Sequence, residues 1–261
     1  MRVNTARVWE DADYEKVRKF CNSDEGWVQV YKKKSIEVYT QIVANSSFQM
    51  IKACAHFPDV PSSIAYDVLH DCSYRAKWDK HMGSQNTIGL LNPNNDIGYY
   101  ALNGLATIRG RDFVMQRSWL DTGEEKLICS HSVCHEDYPP QKGYVRGTVI
   151  LSGYLIRNVG EGCEIIYVSH TDPKGKLPTW LANRVTKTIA PKVIKKLHKA
   201  CMNYSDWKKN NHPHYKPWNF PDQQVDMPRV DLAKCQPKEY HQEIIDESNV
   251  SATSLKEDDD D

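Results

Sequence analysis

The chain has 261 residues, enough for one generous domain or two small ones, and its 40% hydrophobic and 26% charged residues are ordinary for a globular protein. No run approaches the roughly 18–20 apolar residues that a helical membrane span needs, and Met1-Arg2-Val3-Asn4-Thr5 lacks the apolar stretch of a secretory signal, so a cytoplasmic protein is expected. The net charge of zero hides an asymmetry: from Pro221 onward 12 acidic residues face 4 basic ones, a net of −8, while residues 1–220 hold 22 against 30, a net of +8. A basic body favours anionic surfaces, either membrane or nucleic acid.

Asp13–Cys21 predicts a short helix, with Tyr14, Val17 and Phe20 at three-to-four spacing. Trp27–Tyr31 and Ile36–Ile42 alternate about the polar turn Lys32–Ser35 and read as a hairpin, with Phe48–Phe57 as a third strand. Pro61 opens a helix through Leu69, and Tyr74–Lys80 makes another. Strands are expected at Thr87–Leu91, Ile97–Leu102, Asp112–Leu120, Lys126–His135, Arg146–Ile156 and Cys163–Thr171. Clusters such as Asn92-Pro93-Asn94-Asn95 and Gly160-Glu161-Gly162 separate them.

Pro178 to about Trp207 is helical in pattern. Leu181, Val185, Ile189, Val193, Leu197, Cys201 and Tyr204 form a drifting stripe, and Pro191 should kink the helix. Lys187, Lys192, Lys195, Lys196 and Lys199 line the other side. Short turns between strands argue for an antiparallel sheet, and one amphipathic helix closing a curved sheet is an α+β solution. Beyond Phe220 acids dominate, which predicts a body over 1–220 and a disordered acidic tail over 221–261.

Eight cysteines form no C-x-x-C pair and read as buried free thiols. Cys129, His131, Cys134 and His135 look like zinc ligands, but on a strand Cys134 faces away from the other three. No metal or cofactor is expected. No G-x-S-x-G, Walker loop, G-x-G-x-x-G or H-E-x-x-H is present, and Asp67, His70 and Asp71 have no nucleophile beside them. These features argue against an enzyme.

Tyr74-Arg75-Ala76-Lys77-Trp78-Asp79, Gly110-Arg111-Asp112-Phe113 and Asp172-Pro173-Lys174-Gly175-Lys176-Leu177-Pro178-Thr179-Trp180-Leu181 resemble the START lipid-transfer family in its phosphatidylcholine-carrying branch. The segment His212-Pro213-His214-Tyr215-Lys216-Pro217-Trp218 is similar to one member of that branch. The resemblance spans roughly residues 8–220. It implies a helix-grip fold: a curved antiparallel sheet closed by the long C-terminal helix around a lipid tunnel.

The resemblance assigns Arg75 to the lipid phosphate and Asp79 to orienting it. A buried phosphate without a cation would cost several kcal/mol, and a guanidinium suits it better than an ammonium. The matching choline-cage positions are Tyr100, Phe113 and Ile150. A quaternary ammonium is well served by π faces, so Ile150 weakens the cage and leaves room for ethanolamine lipids. The loop Asn103–Gly110, with apolar Leu105 and Ile108, matches the membrane gate together with the last helix and Lys192, Lys195, Lys196 and Lys199.

The expected function is to bind one glycerophospholipid, phosphatidylcholine or phosphatidylethanolamine, and carry it between membranes after transient contact with their anionic surfaces. A lipid-responsive adaptor and an acyl-ester hydrolase on the same fold are the rivals. Nucleic-acid binding has no motif behind it, and the lysines lie largely on one helix. Ser254, three residues before Glu257 and ahead of four aspartates, suits an acid-directed kinase.

Overall fold

The computed structural model describes residues 3–44, 46–105, 107–240 and 243–252. Helix α1 (Asp11–Asn22) leads into strands β1 (Val28–Lys33), β2 (Ile36–Gln41) and β3 (Met50–Phe57). Helices α2 (Ser62–His70) and α3 (Cys72–Trp78) precede β4 (Met82–Asn92), β5 (Asn95–Leu102), β6 (Gly110–Asp121) and β7 (Glu125–Ser132). The short β8 (Tyr144–Arg146), then β9 (Thr148–Val159) and β10 (Gly162–Asp172), complete the sheet. Helix α4 (Thr179–Arg184) and helix α5 (Ala190–Lys209) follow.

The strands form one sheet in the order β1-β2-β3-β10-β9-β7-β6-β5-β4, with β8 pairing beside β6. All the pairings are antiparallel except β6 with β8. The strand expected from Arg146 begins at Thr148, while Arg146 ends β8; Gly147 parts the two. A Cβ there would lie 2.5 Å from the ring of Phe113, so the close approach of that ring requires glycine.

Alternating residues send two apolar layers to the two faces of the sheet. On one face Val38, Ala55, Ile156 and Ile165 meet Tyr66 of α2 and Leu197, Cys201 and Tyr204 of α5. On the other, Leu127, Leu155 and Val168 meet Tyr14 and Val17 of α1. Burying a side chain of the size of Leu or Ile contributes roughly 1.5–3 kcal/mol, so these two layers hold both helices to the sheet.

Where Pro191 was expected to kink the helix, the hydrogen-bonding pattern changes. Between α4 and α5 the chain makes a π-turn, Val185–Ile189, and Pro191 follows in the first turn of α5. Proline has no N–H to give the carbonyl four residues earlier, and a π-turn absorbs that gap. The insertion also rotates the stripe: Ile194 is buried where Val193 was expected, and Val193 is half-buried.

The segment after residue 220 differs from the disordered tail expected of it. Residues 228–230 pair with the β4 edge: Leu90 N donates to Pro228 O at 2.8 Å and Val230 N to Leu90 O at 2.9 Å. Cys235 is buried with Ile97, Val114 and Val133. Asp246 bridges to Lys176. Composition pointed to disorder, but a few well-placed residues cover the exposed edge of β4, which would otherwise present unpaired backbone groups. Ser254 lies outside the described residues.

Candidate lipid site

Asp71 ends α2 and caps α3, its carboxylate accepting from Ser73 N at 3.1 Å and Tyr74 N at 3.2 Å. It also accepts from Tyr204 Oη at 3.0 Å and Lys208 Nζ at 2.8 Å, and Tyr74 Oη donates to Ala200 O at 2.9 Å. The far end of α5 is thereby tied to the helix that carries Arg75. Asp67 accepts from Lys216 Nζ at 2.6 Å and Trp218 Nε1 at 2.7 Å, and His70 stacks on Trp218 with ring centroids 5.6 Å apart. These acids position helices and the segment after α5.

Arg75 Nε donates to Asp79 Oδ2 at 3.0 Å, and Tyr100 Oη of β5 donates to the same oxygen at 3.1 Å. His81 N donates to the other oxygen at 3.2 Å. Burial pushes the Tyr100 phenol well above its ordinary pKa, so it stays a donor to Asp79. The guanidinium carbon lies 5.0 Å from the Trp78 ring and 5.8 Å from the Tyr100 ring. Arg75 Nη1 and Nη2 carry the other four of the five N–H donors of the guanidinium.

Those donors border a cavity of about 600 Å³, within the range of small-molecule sites. Leu69, Met115, Ile128 and Val149 supply apolar lining, and Tyr99, Tyr100, Phe113, Tyr154 and Tyr167 supply rings. Arg75, Tyr100 and Phe113 thus share one cavity, with Asp79 holding the arginine from behind.

Ile150 does not share it. The β9–β10 register pairs His170 with Leu151 and Thr171 with Val149, which leaves Ile150 as the extra residue of a β-bulge. A bulge changes the phase of the alternation, so Val149 joins Ser152 and Tyr154 in the lining and Ile150 is outside it. The resemblance, which takes no account of a bulge, had matched Ile150 to the choline cage.

The loop expected as an exposed apolar tip is also different. Leu105 N donates to Ile108 O at 3.1 Å and Ile108 N to Leu105 O at 2.9 Å, closing a tight turn. Ile108 is buried and Leu105 half-buried, so the turn does not offer both to solvent. Lys192, Lys195 and Lys199 are exposed along α5, and Lys196 is half-buried.

A second charged pair escaped the sequence reading. Arg117 of β6 holds Asp96 of β5 through Nε at 3.2 Å and Nη2 at 2.5 Å, and both line the cavity. They stand 21 positions apart and meet only because the two strands pair Asp96 with Arg117. Polar residues at inward positions of strands were the available signal. Among the described residues there is no His, Cys, Asp or Glu cluster that could hold a metal, and the eight cysteines are free.

An antiparallel sheet gripping a long C-terminal helix, with a cavity of mixed apolar and charged lining between the strands and helices α2 and α3, is an architecture able to enclose a lipid. Residues 7–208 match the START domain, and the chain belongs to that family. Among curated proteins it is 37% identical to mouse START domain-containing protein 10 over 252 residues, covering 96% of this chain and 86% of the relative. It is 24% identical to mouse phosphatidylcholine transfer protein over 186 residues, covering 68% of this chain and 85% of that protein. The crystal structure of human STARD10 superposes with a TM-score of 0.84 at 37% identity, covering 90% of this chain and 96% of that one. This kinship lies with lipid-transfer proteins rather than with enzymes.

Proposed function

We propose that the chain binds one glycerophospholipid in the cavity and carries it between membranes. The observation that carries this reading is Arg75, fixed by Asp79 through Nε with its remaining donors beside a cavity that joins aliphatic side chains and rings to the Arg117–Asp96 pair. A phosphodiester is the lipid group that answers such a donor set. Phosphatidylcholine and phosphatidylethanolamine are the proposed ligands, with Tyr100 and Phe113 offering π faces to the head group.

Carriage needs no chemistry. A two-chain lipid holds on the order of 30 methylenes, and exposing them to water costs roughly 25 kcal/mol at about 0.8 kcal/mol each. A tunnel as apolar as the bilayer makes exchange nearly neutral. The exposed Lys192, Lys195 and Lys199 would meet an anionic bilayer, with half-buried Leu105 and buried Ile108 joining as the apolar part of the gate once the turn opens. In this reading the protein works in the cytoplasm, associates reversibly with membranes and is a substrate for an acid-directed kinase at Ser254. No described helix is long and apolar enough to cross a membrane.

The test is transfer of fluorescent phosphatidylcholine and phosphatidylethanolamine from donor to acceptor vesicles. The reading expects catalytic amounts of protein to speed transfer of both lipids. Protein-independent rates for both would refute it, and stable lipid loading without transfer would favour an adaptor.

A further inference from the structure

The strap formed by residues 243–250 holds together two segments that are far apart in sequence. One is the turn Leu105–Ile108 with Arg109; the other is the connector from Pro173 to Trp180. Glu247 is buried between them: Oε1 accepts from Arg109 N at 2.7 Å, and Oε2 accepts from Arg111 Nη2 at 2.9 Å. Glu247 N donates to Lys176 O at 2.8 Å, and Lys176 N donates to Ile245 O at 2.9 Å. Further along, Trp180 Nε1 donates to Val250 O at 2.7 Å.

Arg111 completes the join, with Nε on Pro173 O at 3.0 Å and Nη2 also on Lys174 O at 3.2 Å. A buried carboxylate is costly unless paired and hydrogen-bonded, and here it has both partners. An exposed ion pair, Lys176 Nζ to Asp246 Oδ2 at 3.0 Å, adds to these attachments. Of its large apolar side chains Ile244 is 74% exposed while Ile245 and Val250 are half-buried, and Glu243 and Ser248 are exposed. A segment held by a handful of polar contacts between Ile245 and Val250, and with little apolar burial, can detach as a unit without disturbing the core.

The cavity lining reaches Leu102 and Thr171, where β5 and β10 run out into these same two segments. We infer that the strap is a latch across the mouth of the cavity, and that Glu247 must leave Arg111 and Arg109 before a lipid can pass. This rests on the reading of the cavity as a lipid tunnel. The latch is intrinsic to the chain, and it couples the turn to the start of α4 so that the two open together.

Glu247→Gln keeps the size and an acceptor for Arg109 N but removes the charge from Arg111. Hydrogen exchange at residues 107–111 and 174–181 should rise about tenfold, as should phosphatidylcholine transfer between vesicles, which corresponds to about 1.4 kcal/mol. Lipid bound per chain should not change. In the converse variant, Lys176→Cys with Asp246→Cys, the two positions are bridge partners. Oxidation should stop transfer and reduction should restore it. Wild-type rates in Glu247→Gln, together with full transfer by the oxidised double-cysteine protein, would overturn the latch alone. A wild-type protein that neither carries nor moves lipid would remove the tunnel reading and the latch with it.

Discussion

Arg75 gives its Nε to Asp79 at 3.0 Å across one turn, so the carboxylate fixes the guanidinium without using its Nη donors. Arg75→Leu removes those donors, while Asp79 keeps its bonds from Tyr100 and His81, so the fold survives. A hydrogen bond to a charged group contributes about 1.5–3 kcal/mol. Phospholipid transfer should therefore fall at least tenfold, and Arg75→Lys should restore only part of it, because an ammonium lacks the planar fork. Vesicle transfer rates on protein with unchanged circular dichroism make the comparison.

The bulge at Ile150 separates two neighbouring substitutions. Val149→Tyr adds a ring to the cavity and should move the balance of bound lipid toward phosphatidylcholine or, where the ring fills the space, lower total loading. Ile150→Tyr should leave both balance and loading as they are. Competition between two labelled lipids reads the difference. A selectivity shift in Ile150→Tyr with none in Val149→Tyr would return Ile150 to the lining.

That pair of residues marks where the sequence is legible and where it is not. Period-two and period-3.6 patterns placed α1, α5 and most strands, because burial of one face imposes them. Arg75 and Asp79 were marked by the resemblance, and their separation of four residues is local enough for one short motif to carry both. Arg117 with Asp96, and Glu247 with Arg111, were not. Their partners are 21 and 136 positions apart, and only strand register or a returning strap unites them. The bulge was invisible for a related reason: one extra residue reverses a strand's phase and leaves no mark in the alternation. The strap was hidden by composition, since a few buried residues in an acidic stretch do not alter its average.

Lys208 and Asp71 meet at 2.8 Å with both side chains buried, and they tie α5 to α3. Lys208→Met leaves Asp71 buried without its cation, though still bonded to Tyr204 and to the α3 backbone. Breaking a buried pair on one side costs about 3–5 kcal/mol, and those remaining bonds place this variant at about 3. Urea unfolding gives the figure directly. A loss no larger than that of an exposed surface pair would show that the interaction is screened.

The acidic end should tune membrane contact. Cutting after residue 252 removes four aspartates, Glu257 and Ser254 while leaving the packed segment in place. Liposome co-sedimentation on anionic vesicles should strengthen at low salt. Ser254→Glu in the full chain should weaken it. Both differences should shrink at high salt, because the Debye length falls below about 8–10 Å. Equal binding by the cut and full-length proteins at low salt would dispose of the electrostatic competition.

The central claim is a phosphate-bearing lipid seated on Arg75. Native mass spectrometry of the purified protein, with fragmentation of whatever it carries, tests it most directly. The account predicts one glycerophospholipid per chain in the wild-type protein and little or none in a folded Arg75→Leu variant. A wild-type protein loaded with a lipid that has no phosphate, or a variant that keeps its full phospholipid load, would contradict it.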